Sequence, residues 1–395
     1  MKIRIRQSDT LWYYSKLLDV PLVLIEQSNR DLSSQNLSTG KVIHIPGFVL
    51  NQHVIEAEDT LWQLSSQYNL PMDTLLLVNQ TIDPTKLTVG SSISIPYRVR
   101  DPLIQDVSAY TYEKMVNDIE KLATVYPFLV KKTVGKSVLG KSLPELQIGA
   151  GTKCVHANGS FHANEWITTP VLIQFINQYL LALTNNTQIH GMNMLPLFME
   201  TIFSMVPMVN PDGVDLVLNG VPAEKSFAEQ VLEINNQSYD FSGWKANING
   251  VDLNKQYPAL WEIEVNRKTG IPSPRDYPGS QPLSEPESIA MAKLTNFHHF
   301  TRVNAFHTQG EKIHWGFKGS PTASEAIATE YARVSGYEAV KYVDNYAGYK
   351  DWFIHEYQHP GFTIELGSGI NPLPISQFDK VYEESLGILL ANLYL

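Results

Sequence analysis

The sequence predicts an α/β protein: a mixed-sheet α/β/α domain preceded by two small βααβ modules. Three observations predict it. A gapless repeat at an offset of 50 residues fills the first hundred positions, strand-like and helical segments alternate from about residue 109 to the end, and metal-ligating residue types stand at the ends of those strands. At 395 residues, the chain is long enough for two or three domains.

The repeat comes first. Residues 9–12 read DTLW and so do residues 59–62; Ser15 matches Ser65, Pro21 matches Pro71 and Asn29 matches Asn79. Leu37, Gly40, Ile43, Ile45 and Pro46 then match Leu87, Gly90, Ile93, Ile95 and Pro96. Each copy reads as a strand, a helix opened by an Asp-Thr pair, a second helix after proline, and a closing strand. Short side-chain oxygens accept from free N–H groups at a helix start, which fixes where the first helix begins. Trp12 and Trp62 fall in that helix's first turn, where an apolar residue is expected in the core.

The modules span 1–47 and 52–97, residues 98–108 read as a linker, and the larger domain runs from 109 to 395. Its first segment, YTYEKMVNDIEKLATVYPFL, has helical periodicity and ends near Pro127. Strands are expected at KKTVGKSV, PELQIGA, KCVHANGSF, FSMVPMVN, RVNAFHTQ and GFTIEL, with helices at WITTPVLIQFINQYLLAL and PESIAMAKLTNFHHF between them. Alternation of this kind argues for a largely buried sheet with helices on its faces.

Composition narrows the function classes. The net charge is −10, yet residues 1–100 carry nine Lys/Arg and nine Asp/Glu, so the acidic excess lies wholly beyond them. There is no basic run or zinc-finger spacing to engage nucleic acid. One cysteine, Cys154, excludes an intramolecular disulfide and is expected to be buried. The N-terminus MKIRIRQSDT lacks a secretory apolar stretch, and VLIQFINQYLLAL is too short and too polar to insert in a membrane. Synthesis as a soluble chain in the cytoplasm is therefore expected.

GSFHANEW at 159–166 places His162 and Glu165 three apart. Roughly half a chance H-x-x-E match is expected in a chain of this composition, and His53 with Glu56 is a second match. Context separates them. His53 and Glu56 align with Ile3 and Arg6 of the first module, so a metal site there would be an addition to one copy only. His162 and Glu165 instead follow a buried strand, His307 ends another, and Glu365 lies in a third. Ligands gather at strand ends in open α/β sheets. Two His and one Glu form the open catalytic set for Zn²⁺. His314 competes with His307 for the third position, whereas His156 has a structural register, His298 and His299 belong to a helix, and His355 and His359 look like loop residues.

The motifs carry a resemblance. DTLW, the central QSN or VNQ and the closing LTVGSSISIP make each N-terminal copy similar to the LysM module, which implies binding of N-acetylglucosamine-containing glycans. From about residue 109 the order HANEW, VNPDGV, WKAN, NGVDLNK, FHTQG, KDW and FTIELG resembles the zinc metallocarboxypeptidases of the carboxypeptidase A type. The resemblance implies one Zn²⁺ per chain on His162, Glu165 and His307, Glu365 as general base, Asp252 orienting the first histidine, and Lys245 where the family uses an oxyanion-stabilising arginine. The family's carboxylate-binding Asn-Arg pair stands here as Asn254-Lys255, and the arginine beside its zinc-binding glutamate as Asn164. Lysine lacks arginine's planar two-pronged grip, so recognition of an ordinary peptide C-terminus is not expected. An ungapped count places the substrate-capping tyrosine at Val343, with Tyr342, Tyr346 and Tyr349 as candidates, and Lys350 near the specificity pocket.

A zinc peptidase with altered carboxylate recognition, joined to two glycan-binding modules, is similar in plan to the bacterial γ-D-glutamyl-L-diamino acid endopeptidases. That implies peptidoglycan as partner, with hydrolysis between γ-D-glutamate and meso-diaminopimelate or lysine in its stem peptide. A general carboxypeptidase localised to the wall and a non-enzymatic wall-binding protein are the alternatives.

Overall fold

A computed structural model describes residues 1–32, 37–268, 270–342 and 344–395. The first module comprises β1 (Lys2–Arg4), α1 (Leu11–Leu18), α2 (Leu22–Gln27) and β2 (Val42–His44); the second comprises β3 (Phe48–Val54), α3 (Leu61–Gln67), α4 (Met72–Val78) and β4 (Ser92–Arg98). In each, the two strands pair antiparallel. Thr10 and Thr60 cap α1 and α3, their side chains accepting from Tyr13 N at 3.0 Å and Gln63 N at 3.2 Å. The repeated asparagine explains itself. Asn29 Nδ2 donates to Ile25 O and His44 O while its Oδ1 accepts from His44 N, and Asn79 makes the same three bonds to Leu75 and Ser94. One amide thus ties helix end to closing strand in both copies, satisfying buried backbone groups that would otherwise be unpaired.

The tryptophans depart from expectation. Trp12 is 59% and Trp62 69% exposed, while Leu11, Tyr14 and Leu18 of α1, and Leu61 and Leu64 of α3, fill the core. A helix turn that buries its first, fourth and eighth residues turns the second outward. The two modules are not symmetric partners. Arg6 of the first grips Asp73 of the second with two bonds of 2.7 and 2.6 Å, and Tyr13 adds a hydroxyl donor at 2.5 Å. At an offset of 50, Arg6, Asp73 and Tyr13 correspond to Glu56, Val23 and Gln63, so the clamp has no second copy.

By packing, the chain divides into two units: residues 1–105 with 120–130 and 177–196, and residues 106–119 with 131–176 and 197–395. After β4, residues 99–111 carry no helix or strand. There follow α5 (Tyr112–Val125), β5 (Val130–Lys136), β6 (Ser142–Gly149), β7 (Lys153–Asn158) and α6 (Thr168–Asn185). A small pair β8 (Gln188–Ile189) and β9 (Met192–Asn193) leads to α7 (Met194–Glu200), β10 (Thr201–Val206), α8 (Pro211–Asn219), α9 (Lys225–Ile234), α10 (Trp261–Arg267) and α11 (Pro286–His298). Then come β11 (Arg302–Thr308), β12 (Lys312–His314), α12 (Ala323–Ser335), β13 (Glu338–Val340), α13 (Tyr349–Tyr357), β14 (Gly361–Leu366) and α14 (Phe378–Tyr394).

Eight strands form one mixed sheet in the order β13-β12-β14-β11-β7-β10-β6-β5. Its centre is parallel: β10 with β7, β7 with β11, and β11 with β14. β6 and β12 join antiparallel on either side. All seven residues of β11 are buried, as expected of a strand covered on both faces. The six larger-domain strands expected from sequence are present; β12 and β13, three residues each, were not expected, and His355 sits in α13 rather than a loop.

These placements predict a contrast in stability. Trp62→Ala is expected to change the unfolding free energy by no more than about 0.5 kcal/mol, since the ring is exposed. Leu64→Ala, at a fully buried position, should cost about 2–5 kcal/mol. Urea denaturation of the two variants measures both.

Candidate zinc centre

The loop leaving β7 is fastened before it delivers its ligands. Gly159 N donates to Val206 O, while Val209 N and Asn210 N donate to Gly159 O and Ser160 O, stitching the exits of β7 and β10 together. Asn210 then caps α8, its Oδ1 accepting from Gly213 N at 3.0 Å, and its Nδ2 donates to Phe161 O and Ala246 O. A Cβ on Gly213 would lie 2.7 Å from Ala246 O, so VNPDGV needs glycine there. Residues 163–165 make one 3-10 turn, with Ala163 N and Asn164 N donating to Lys245 O and Trp244 O. His162, which precedes that turn, and Glu165, which ends it, are thereby held on either end of it.

Parallel pairing brings the third ligand. His307 and Glu365 are register partners on β11 and β14. His162 Nδ1 lies 2.9 Å from Glu165 Oε1, His307 Nδ1 lies 2.9 Å from Glu165 Oε2, and the two ring nitrogens are 3.2 Å apart. Ligands on a tetrahedral Zn²⁺ with bonds of 2.0–2.1 Å are about 3.3 Å apart. The donor set therefore fits zinc in residue type and in mutual spacing. Among the described residues these three make up the one His/Cys/Asp/Glu group with ligand atoms so close together. The other ring nitrogen of His162 lies 3.2 Å from Asp252 Oδ1, the carboxylate partner that orients a ligating imidazole.

His53 and Glu56 form no such group: His53 Nε2 lies 2.9 Å from Asp59 Oδ2 and Nδ1 accepts from the Tyr68 hydroxyl at 3.0 Å. His314 lines the same cavity but stays out of the ligand cluster, and burial beside Lys350 lowers it to about 4. His156 is buried against Ser204 and stacks on Phe300, a structural position.

The electrostatics are those of a buried charge cluster. Burial alone would raise Glu165, but His162 and Lys245 hold its carboxyl well below the usual range. Burial lowers His162, and the carboxylates of Glu165 and Asp252 override it, up to about 9. Glu365 is raised to about 8 by burial and by the Glu165 carboxylate. A divalent cation at the convergence point opposes the upward shifts of His162 and Glu365 and reinforces the downward shift of Glu165, favouring neutral imidazoles and ionised carboxylates.

The cavity around these groups is about 620 Å³ and also takes in Asn164, Lys245, Asn254, Lys255, Lys350 and Asn371. Lys245 Nζ donates to Glu165 Oε1 at 2.8 Å. Lys255 is buried, its ammonium 3.0 Å from Glu264 Oε2. Asn254 Oδ1 accepts from Tyr349 N, and Asn164 Nδ2 donates to Ser242 O while its Oδ1 is buried with no partner among the described residues. Lys350 Nζ lies 2.5 Å from Asp351 Oδ1 and donates to Gly316 O. Of the candidate capping tyrosines, Tyr349 is fully buried with its hydroxyl 2.8 Å from Thr295 Oγ1; Tyr342 is exposed and Tyr346 packs under Arg267. Val343 lies outside the described residues. Sequence reasoning missed Asn371 and Thr308, whose side-chain amide and backbone N–H both reach Glu165, at 3.4 and 3.2 Å.

The sequence model of the zinc carboxypeptidase family matches residues 115–387. The chain belongs to the zinc carboxypeptidase family. His162, Glu165 and His307 are its zinc site. The LysM domain model matches residues 3–46 and 53–96. Over 396 aligned residues, covering all of both chains, the protein is 58% identical to gamma-D-glutamyl-L-diamino acid endopeptidase 1 of Lysinibacillus sphaericus. It is 46% identical to the uncharacterized protein YqgT of Bacillus subtilis (strain 168) over 302 residues, 75% of this chain and 80% of that one. Solved structures share the fold: bovine thrombin-activatable fibrinolysis inhibitor at TM-score 0.56 and 19% identity, covering 72% of this chain and 95% of that one, and carboxypeptidase A from Helicoverpa armigera at 0.54 and 16%, covering 88% and 97%.

For the zinc carboxypeptidase site, metal analysis of the purified protein should return one zinc per chain. Asp252→Ala is expected to weaken zinc binding about 10- to 100-fold, read by competition with a chelator, because His162 loses the carboxylate that fixes its ring.

Proposed function

We propose that the protein is a zinc peptidase that hydrolyses the bond between γ-D-glutamate and the diamino acid, meso-diaminopimelate or lysine, in peptidoglycan stem peptides, with its LysM modules holding the N-acetylglucosamine-containing glycan. The full-length 58% identity to an endopeptidase of that name carries the reading. The pocket's chemistry supports it. A γ-linked glutamate keeps its α-carboxylate free, so the substrate brings carboxylates beyond the scissile amide, and the cavity is lined by Lys245, Lys255, Lys268, Arg275 and Lys350.

Zinc, when bound, supplies the Lewis acidity that brings the pKa of water to roughly 7 and polarises an amide carbonyl. Glu365, one strand over from His307 and in register with it, accepts a proton as general base and returns it to the departing amine. No described residue donates a hydrogen bond to its carboxylate. Lys245 supplies positive charge beside the ligand cluster where an oxyanion develops. Asp252 keeps His162 oriented. Asn254, Lys255 and Asn164 line the substrate's side of the cavity.

Incubation with L-Ala-γ-D-Glu-meso-diaminopimelate should release meso-diaminopimelate and L-Ala-D-Glu. Release of C-terminal residues from ordinary peptides alone would overturn the reading in favour of a general carboxypeptidase. Glu365→Gln should keep its zinc and lose about 10²- to 10⁴-fold in kcat.

A further inference from the structure

The carboxylate-rich substrate needs a free cation, and the pocket's lysines are engaged. Lys245 donates to Glu165, Lys255 sits against Glu264, and Lys350 against Asp351. Each of these three ammonium groups is held by a carboxylate of its own. Arg275 differs. It is the one arginine among the described residues lining the cavity, its side chain is 59% exposed, and it uses only Nε, donating to Asp276 Oδ2 at 3.0 Å. Its two terminal nitrogens donate to no described residue. Lys268 shares the same Asp276 at 3.4 Å, so the trio carries a net positive charge.

The loop that carries Arg275 is fixed on both sides. Lys245 N and Ala246 N donate to Pro274 O at 2.8 and 2.9 Å, Ser273 N donates to Gly250 O, and Asp252 N donates to Tyr277 O. Asp276 N donates to Asp252 Oδ2 at 3.3 Å, the same carboxylate whose other oxygen faces His162. Arg275 is therefore held one residue from the loop's bond to the carboxylate that orients His162, with an open planar fork at the cavity's edge. Such a fork makes two parallel bonds to a carboxylate, which an ammonium cannot do.

We propose that Arg275 is a specificity residue of this pocket, gripping a carboxylate of the stem peptide that is not the one consumed in the scissile bond. It takes over from a different loop the task that the Asn254-Lys255 position performs with an arginine elsewhere in the family. The inference rests on the γ-D-glutamyl reading above.

The test uses zinc-loaded, full-length protein carrying Glu365→Gln, with and without Arg275→Ala, titrated calorimetrically with L-Ala-γ-D-Glu-meso-diaminopimelate. Two analogues accompany it, one amidated on the D-Glu α-carboxylate and one on the diaminopimelate carboxylates. Arg275→Ala should weaken binding of the free tripeptide roughly 10- to 150-fold, the range for a hydrogen bond to a charged group. Arg275→Lys should fall between, and zinc content should not change. The amide whose affinity no longer depends on Arg275 identifies the carboxylate gripped. In otherwise wild-type enzyme, the same change should appear mainly in KM. Unaltered tripeptide affinity in the Arg275→Ala protein, or one common loss across tripeptide and both amides, overturns the proposal. If the wild type binds the tripeptide through Arg275 but does not cut it, the catalytic reading falls and this one stands. If it cuts the tripeptide and Arg275→Ala binds equally well, the reverse holds. If neither protein binds it, both fall.

Discussion

Glu165 imposes the central constraint on the larger domain. Its carboxylate is 1% exposed, and a buried carboxylate is stable only when charge and hydrogen bonds replace the water it has lost. Those replacements come from five places: His162 three residues back, His307 on β11, Lys245 from the segment before NGVDLNK, the backbone N–H of Thr308 and the side-chain amide of Asn371. Each must be in place at once. The stitched exits of β7 and β10, the buried β11 and the pairing of residues 163 and 164 with residues 244 and 245 are the scaffold that brings them together. Zinc then binds where folding has already paid to gather its ligands.

Asp252 extends the same logic outward. One oxygen faces His162 and accepts from Asn254 N, and the other accepts from Asp276 N. A single buried carboxylate thus sets the ring of a metal ligand, the turn that presents Asn254, and the loop that presents Arg275. The backbone turns behind Asn254 and Arg275 share this carboxylate with a metal ligand, so loss of the Asp252 carboxylate is expected to disturb all three.

Much of this was legible in the sequence because it is local or periodic. The module repeat showed both βααβ copies, and the six long strands of the larger domain showed as strand-like segments between helical ones, although β5, at the sheet's edge, has no buried residue. His162, Glu165, His307 and Glu365 could be selected because strand ends are where α/β sheets gather ligands. Other features depend on pairings that only folding creates. β12 and β13 are three residues each, too short to show a period. The helix periodicity around Trp12 and Trp62 did not say which side faced in, and the rings face solvent. That Lys255 is neutralised by Glu264 could not be seen, because a helix nine residues on must fold back to meet it. Asn371 reaches Glu165 from 206 residues away. Arg275 carried no motif at all, since its role comes from its neighbours' backbone bonds.

The Arg6–Asp73 clamp has a consequence of its own. Two glycan-binding modules on a flexible tether would meet successive sugars at an effective concentration set by a fluctuating linker. Here a two-pronged ion pair and the Tyr13 hydroxyl lock module to module. The pair then acts as a ruler of fixed span. A strand held by both modules at once would carry no entropic penalty for stilling a linker, and the clamp would set how far apart its two grips lie.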